Sequence, residues 1–201
     1  MRRMTAFLLL LALPAAALAE TVAITGGRVV TLGPAGTIDG GTVLIQDGKV
    51  RAVGRDVAIP AGARRIDATG KVVTPGFMDS LGRLGLVEVS AVEETVDFRT
   101  EVDQITAAYN VADALNPRSM LIKTNRIEGL TRAVVAPGPG SSLIAGQGVV
   151  IHLGGPEDFL LRSPVAMYGV LGAAGRRFGG GSRAAAMLRL REILHDAREY
   201  A

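Results

Sequence analysis

Between residues 21 and 74, short runs of β-branched and aliphatic residues are broken repeatedly by glycine, a pattern that predicts strands rather than helices. Segments 22–24 and 28–32 read as strands on either side of Gly26-Gly27, and 42–46 as another. Asp47-Gly48 then predicts a tight hairpin into 49–53, because a type I′ turn needs positive φ at both central positions. Two further short strands, 64–68 and 71–74, flank Thr69-Gly70. Strands this short and closely spaced predict a small sheet, or half of a β-sandwich, with a face that needs a partner surface.

After Pro75 the pattern changes. Phe77-Met78 is a short apolar step ending in Asp79, and an acidic stretch follows: Glu88, Glu93, Glu94, Asp97, Glu101 and Asp103 against Arg99. This stretch reads as a solvated loop leading into a helix over 103–115, which Asn116-Pro117 stops, since a residue before proline is pushed out of the α region. A second helix is predicted over 119–128, closed by Gly129, followed by a buried strand over 131–136. That order is of the βα type and differs from the all-β start. Residues 137–148 form a Gly- and Pro-rich loop, 149–153 is apolar with one histidine, and 176–181 reads as a flexible joint. Ser182 is the predicted N-cap of a last helix running to about Tyr200, with Met187, Leu190, Leu194 and Ala197 along one face.

Composition narrows the class. With 48% hydrophobic and 20% charged residues the chain reads as globular rather than disordered, and with no cysteine it has neither disulfides nor a lipid-attachment site. Met1-Arg2-Arg3, the apolar run 6–16 and Ala17-Leu18-Ala19 before Glu20 have the layout of a secretory signal peptide over 1–19. The apolar run is too short for a stable membrane span, although an uncleaved N-terminal anchor is the competing reading. Cleavage removes Arg2 and Arg3 and leaves a nearly neutral chain, so no electrostatic case for nucleic acid remains. Arg2-Arg3 hints at a twin-arginine route, but the apolar run favours ordinary secretion, and the expected location is exported, in the periplasm.

Candidate chemistry is sparse. His152 and His195 are the only two histidines, one in an apolar strand and one beside Asp196 on a helix, and both read as structural. Ser141 and Ser142 sit in a glycine-rich loop, but the sequence lacks both the G-x-S-x-G elbow and the G-x-x-x-x-G-K-[ST] loop. The carboxylates of the acidic stretch, being oxygen donors at irregular spacing, suit a loose cation site rather than catalytic zinc.

Four stretches together carry a resemblance: ITGGRVVTL, VLIQDGKVRAVG, IDATGKVVTPGFMD and GLTRAVVAPGPGSSLIAGQGVVIHLGG. They resemble the N-terminal portion of metal-dependent amidohydrolases, close to the imidazolonepropionase-like group, over about residues 21–155. In that family the G-K-x-V-x-P-G-F-x-D step marks the passage from a small β-sandwich into the first strand of a catalytic barrel. After the predicted signal peptide (1–19), the resemblance therefore implies an α/β protein made of the first part of a β-sandwich (20–74) and an incomplete (β/α) TIM-like barrel (75–201) that ends in an amphipathic helix.

The family follows its Asp with x-H-x-H, two metal-binding histidines. Here Asp79 is followed by Ser80, Leu81, Gly82 and Arg83, so Leu81 and Arg83 occupy the two histidine positions. Leucine has no donor atom and arginine is a permanent cation, so neither ligates a divalent metal. The resemblance carries over Asp79 alone as a site residue, and the family's zinc or other divalent metal has lost this half of its site.

A complete relative would use a metal-bound water to hydrolyse an amide or cyclic-amide C–N bond. A full barrel needs about 250 residues. The expectation is therefore an exported amidohydrolase-like protein that is truncated or catalytically incomplete, acting on a small amide-type substrate if a full-length form is active. Such a chain is expected to dimerise or to pair with a complementing C-terminal chain. The alternative is a non-enzymatic exported binding or scaffold module that keeps the fold.

Overall fold

The computed structural model describes residues 20–200, so the predicted signal peptide lies outside the described residues. The described residues form two compact units, divided between Pro75 and Gly76.

The first unit is a single five-stranded sheet among the described residues. Its strands are β1 (Thr21–Val30), β2 (Thr37–Gln46), β3 (Lys49–Gly54), β4 (Arg64–Asp67) and β5 (Val72–Val73), in the order β3-β2-β1-β4 with β5 on the second half of β1. The β2–β3 hairpin turns at Asp47 (φ 52°) and Gly48 (φ 70°), the positive dihedrals that the Asp-Gly pair predicts. β4 and β5 both return parallel to β1, pairing Val22 with Arg64 and Arg28 with Val72. The two strands expected around Gly26-Gly27 are one strand with an irregularity. Gly26 takes φ 76°, and the register with β2 shifts between Ile24 and Gly27. Val22, Ala23, Val29, Val43, Leu44 and Ala68 are buried, whereas Val50 and Val72 are each 62% exposed.

The second unit holds β6 (Phe77–Gly82), α1 (Met120–Ile127), β7 (Leu130–Val135), β8 (Ile144–His152), β9 (Leu160–Gly169), α2 (Gly172–Gly175) and α3 (Arg183–Glu199). Its sheet runs β6-β7-β8-β9. β6 and β7 are parallel, joined by a crossover that contains α1, while β7–β8 and β8–β9 are antiparallel. The α/β class holds as mixed α/β, with one parallel pair where a barrel start would have parallel neighbours only. The core lies on β7 and β8, whose Ala133, Val135, Val149 and Ile151 are fully buried, together with Val111 and Leu153.

Several sequence expectations are corrected here. Residues 103–115 form two short 3-10 turns, Asp103–Ile105 and Val111–Ala114, instead of a helix. The cause is competition for backbone groups. The Gln147 N–H of β8 donates to the Tyr109 carbonyl at 2.7 Å, and the Asn110 side chain accepts from Ala112 N–H. Residues 144–148, expected in a loop, are the start of β8. Its glycines mark close approaches rather than turns: a Cβ on Gly146 would lie 2.6 Å from the Tyr109 carbonyl oxygen, and one on Gly148 would overlap the Tyr168 ring. β9 had no counterpart in the pattern, and its Pro164 is tolerated because β9 is the sheet's edge strand.

The expected joint at 176–181 is a 3-10 turn, Arg176–Gly179, closed by Gly180 at φ 61° and by Arg176 Nε donating to the Gly181 carbonyl at 2.7 Å. Ser182 does cap α3, accepting from Ala185 N–H at 3.4 Å. The face that α3 buries is set by Ala186, with Leu190 and Ile193 half-buried, while Met187 and Leu194 are 40% and 51% exposed.

Ser119 caps α1 through Leu121 N–H at 3.2 Å and is itself buried, and Gly129 ends that segment at φ 94°. Ser119→Ala is expected to lower unfolding free energy by about 1 kcal/mol, the usual cost of a lost N-cap, read from paired urea melts.

Candidate functional site

Because β6 and β7 are parallel, their C-terminal ends share one edge, the place where open α/β sheets take ligands. Gly82 pairs with Val135 there, and the Ala136 N–H donates to the Gly82 carbonyl at 3.1 Å. Arg83, just past β6, thus meets the Pro137–Pro139 segment that leaves β7.

Arg83 lies over the Phe98 ring, its guanidinium carbon 3.7 Å from the centroid, and Arg99 approaches the same ring at 5.5 Å. The Phe98 carbonyl accepts from Gly138 N–H at 2.7 Å, which ties the β7 exit to the ring's backbone. Only glycine fits at 138, since a Cβ there would sit 2.5 Å from Phe98 ring carbons and 3.0 Å from the Arg83 guanidinium. Burial, and then the neighbouring Arg99 charge, lower the Arg83 pKa below its ordinary value, although a guanidinium remains a cation throughout. Arg99 Nε pairs with Glu101 at 2.9 Å, but among the described residues no carboxylate pairs with Arg83. A cleft of about 700 Å³ opens beside this stack, with Asp79, Ser90, Glu93 and Arg99 on its walls. A second, of about 560 Å³, lies between Leu81, Arg83, the Pro137–Pro139 segment and Tyr168.

Asp79 is half-buried, and its Oδ1 accepts from Leu81 N–H at 3.1 Å. Gly82 lies so close that a Cβ there would overlap Asp79 Oδ2. Leu81 is 66% exposed. A divalent cation at this spot would meet an alkyl chain and a guanidinium where two imidazoles are required, so the donor set does not fit the metal that the sequence resemblance implies. Among the described residues no three Asp, Glu or His side chains gather as a metal site, and the acidic stretch is spread over separate turns.

The remaining candidates are placed apart from this edge or held in local roles. His152 Nδ1 accepts from Gly154 N–H at 3.0 Å, fixing the turn after β8, and His195 is exposed on α3. Ser142 Oγ accepts from Ile144 N–H at the start of β8, and Ser141 Oγ is buried without a partner. Sequence reasoning missed Phe98, Arg99 and Gly138 as neighbours of Arg83, and an Arg following the Phe was the only local hint.

A dihydroorotase from Anaeromyxobacter dehalogenans is 48% identical over 63 residues, which are 31% of this chain and 14% of that protein. An imidazolonepropionase from Mycolicibacterium smegmatis is 36% identical over 61 residues, 30% of this chain and 15% of that protein. The crystal structure of an amidohydrolase from Thermotoga maritima shares the fold with a TM-score of 0.73 at 24% identity, covering 89% of this chain and 48% of that one. These likenesses support the amidohydrolase superfamily for the matched N-terminal stretch, and the fold agrees with them. The chain's partial coverage fits the N-terminal portion, for it spans about half of the solved amidohydrolase and a seventh of the curated dihydroorotase. No family model matches it. At the β6 edge the chain has Asp79 where the motif it resembles has Asp, and Leu81 and Arg83 where that motif has histidines. No helix among the described residues is long and apolar enough to cross a membrane.

A third cleft, beside Asp97 and Asn110, includes Tyr109. Burial, and then the Asp97 charge, push the Tyr109 phenol from 10.0 up to about 12, while its hydroxyl donates to the Asp97 carbonyl at 3.1 Å. The folded chain holds this proton more tightly than the unfolded one. The associated stability is present below pH 10 and is lost as pH rises from 10 towards 12. Urea midpoints are therefore expected to fall across that window in the parent chain and to fall less in Tyr109→Phe.

Proposed function

We propose that this chain is an exported, amidohydrolase-like protein that binds a small amide or cyclic-amide molecule at the C-terminal edge of β6 and β7. The class of reaction is hydrolysis of a C–N bond, as the names dihydroorotase and imidazolonepropionase suggest for its relatives. In this reading the first unit is the start of the family's β-sandwich and the second the start of its barrel. The single observation that carries the reading is the cleft formed beside Asp79 at the position of the family's first metal-binding strand.

The metal ligands do not come from β6, because Leu81 and Arg83 stand in their place. The chain's own residues bind and orient the substrate, and hydrolysis requires donors from a complementing chain or segment. A small-molecule partner is proposed, with no nucleic acid and no membrane span, in a periplasmic setting reached through residues 1–19.

The second reading, a non-enzymatic exported binding module, is favoured by the same replacement of both histidines. Zinc analysis and hydrolysis assays on the purified chain, with dihydroorotate and other cyclic amides, test the proposal. Amide binding without stoichiometric zinc, and hydrolysis at the uncatalysed rate, are expected. Stoichiometric zinc with turnover would overturn the claim of an incomplete site, and failure to bind any amide would leave the binding-module reading.

A further inference from the structure

We infer that the side of α3 carrying Arg183, Met187, Arg191, Leu194 and Arg198 is a docking surface for an anionic lipid bilayer, on which the helix lies flat without crossing it.

The spacing of these residues sets the side. They follow one another by four, four, three and four positions, so at 3.6 residues per turn they fall within about 80° of the helix circumference. The row alternates arginine with an apolar residue along about 23 Å of helix, at 1.5 Å per residue. The carboxylates of α3, Glu192, Asp196 and Glu199, fall on the opposite side. Arg189, which pairs with Glu192 at 3.4 Å, belongs with them. Buried Ala186 and half-buried Leu190 and Ile193 share a third side. The helix packs against the Gly172–Gly179 segment that precedes it, and the row is left uncovered.

All five residues of the row are exposed, Met187 by 40% and Leu194 by 51%. Among the described residues, Arg183, Arg191 and Arg198 pair with no carboxylate. A helix that only needs to stay solvated gains from opposite charges three or four residues apart, and this row has no such pair. Its partner must therefore supply negative charge along the row and an apolar layer between the arginines. An anionic bilayer supplies both. Headgroup phosphates take the guanidiniums, whose long stems keep the charge at headgroup level, while Met187 and Leu194 dip into the acyl boundary.

Other occupants fit less well. A second copy presenting the same row would set arginine against arginine. A phosphodiester backbone would use the arginines and leave both apolar side chains in water. A soluble acidic protein would want an aromatic anchor, the kind of residue around which protein interfaces concentrate their binding energy, and the row has none.

The chain has no tryptophan, so Leu194→Trp puts a single emitter in the row and Asp196→Trp puts one on the opposite side. Each full-length variant is mixed with vesicles of phosphatidylcholine alone or with an equal part of phosphatidylglycerol. On the phosphatidylglycerol vesicles only, Leu194→Trp is expected to shift its emission to the blue and to resist acrylamide quenching, while Asp196→Trp stays at its aqueous wavelength. Combining Arg183→Gln, Arg191→Gln and Arg198→Gln should weaken vesicle partitioning about a hundredfold, at roughly fivefold per arginine. Met187→Gln with Leu194→Gln should weaken it as well, and both multiple variants should keep the circular dichroism of the parent. Equal binding to the two vesicle compositions, or undiminished partitioning of the triple arginine variant, overturns the inference. Vesicle binding with the Leu194→Trp emitter still in water puts the anchor elsewhere in the chain and overturns it too. Arginine-dependent binding of soluble polyglutamate without binding to vesicles assigns the row to an acidic protein and overturns the lipid proposal, as does binding to neither.

Discussion

Ile151→Ala is expected to lower the unfolding free energy of the Gly76–Ala201 unit by about 3 kcal/mol. Ile151 is fully buried near the C-terminal end of β8, directly opposite Ala133 on β7. Its neighbours in the cluster, among them Val135, Val149, Leu153 and Phe98, come from the sheet and from the crossover. Two terms add. The lost side-chain carbons forfeit their transfer out of water, and the cavity left behind stays open because close-packed neighbours on rigid strands relax only partly. Ala133 opposite is too small to refill it. The chain has no tryptophan, so circular dichroism is the suitable probe of the urea transition. A loss under about 1 kcal/mol would mean that this face of the sheet is not the core.

Features that one or two residues decide were legible in the sequence. Asp47-Gly48 makes its turn, Ser119 and Ser182 cap their helices, and Gly129 follows α1 with positive φ, because each depends on local backbone chemistry. What tertiary contacts decide was not legible. Residues 103–115 have helical composition, yet Tyr109 and Asn110 give their backbone to β8. Gly146 and Gly148 resemble loop punctuation but serve close packing against Tyr109 and Tyr168. The face of α3 follows Gly179, which leaves room for the helix backbone at Ala185 and Ala186, rather than the apolar periodicity.

The candidate site divides in the same way. Asp79, Leu81 and Arg83 could be aligned because they follow a motif in consecutive positions. The partners that give Arg83 its character, Phe98 and Gly138, lie far along the chain in the crossover and in the β7 exit. Only the parallel pairing of β6 with β7 brings these segments to one edge. Two missing histidines told what the position had lost, and the stack on Phe98 tells what it gained.

That stack depends on a backbone latch, and Gly140→Ala is expected to break it at a cost of about 3 kcal/mol. A Cβ on Gly140 would overlap the Thr100 carbonyl oxygen and lie 2.9 Å from its carbon. These are backbone atoms, so no side-chain rotation relieves the clash, and either the 137–142 segment or the 98–100 segment must move. Both are tied down. The Gly138 N–H donates to the Phe98 carbonyl at 2.7 Å, and Arg177 Nη2 donates to the Gly140 carbonyl at 2.9 Å. Displacing either segment carries Phe98 away from Arg83 or pulls Gly138 off the ring, so the stack should loosen as stability falls. Gly155→Ala is the matched control: a Cβ there meets nothing within 4 Å, and the change should stay within about 0.5 kcal/mol of the parent. Parallel urea melts of the two variants decide the matter. Should Gly140→Ala melt like Gly155→Ala, the two segments are not latched and the position of Arg83 over Phe98 needs another cause.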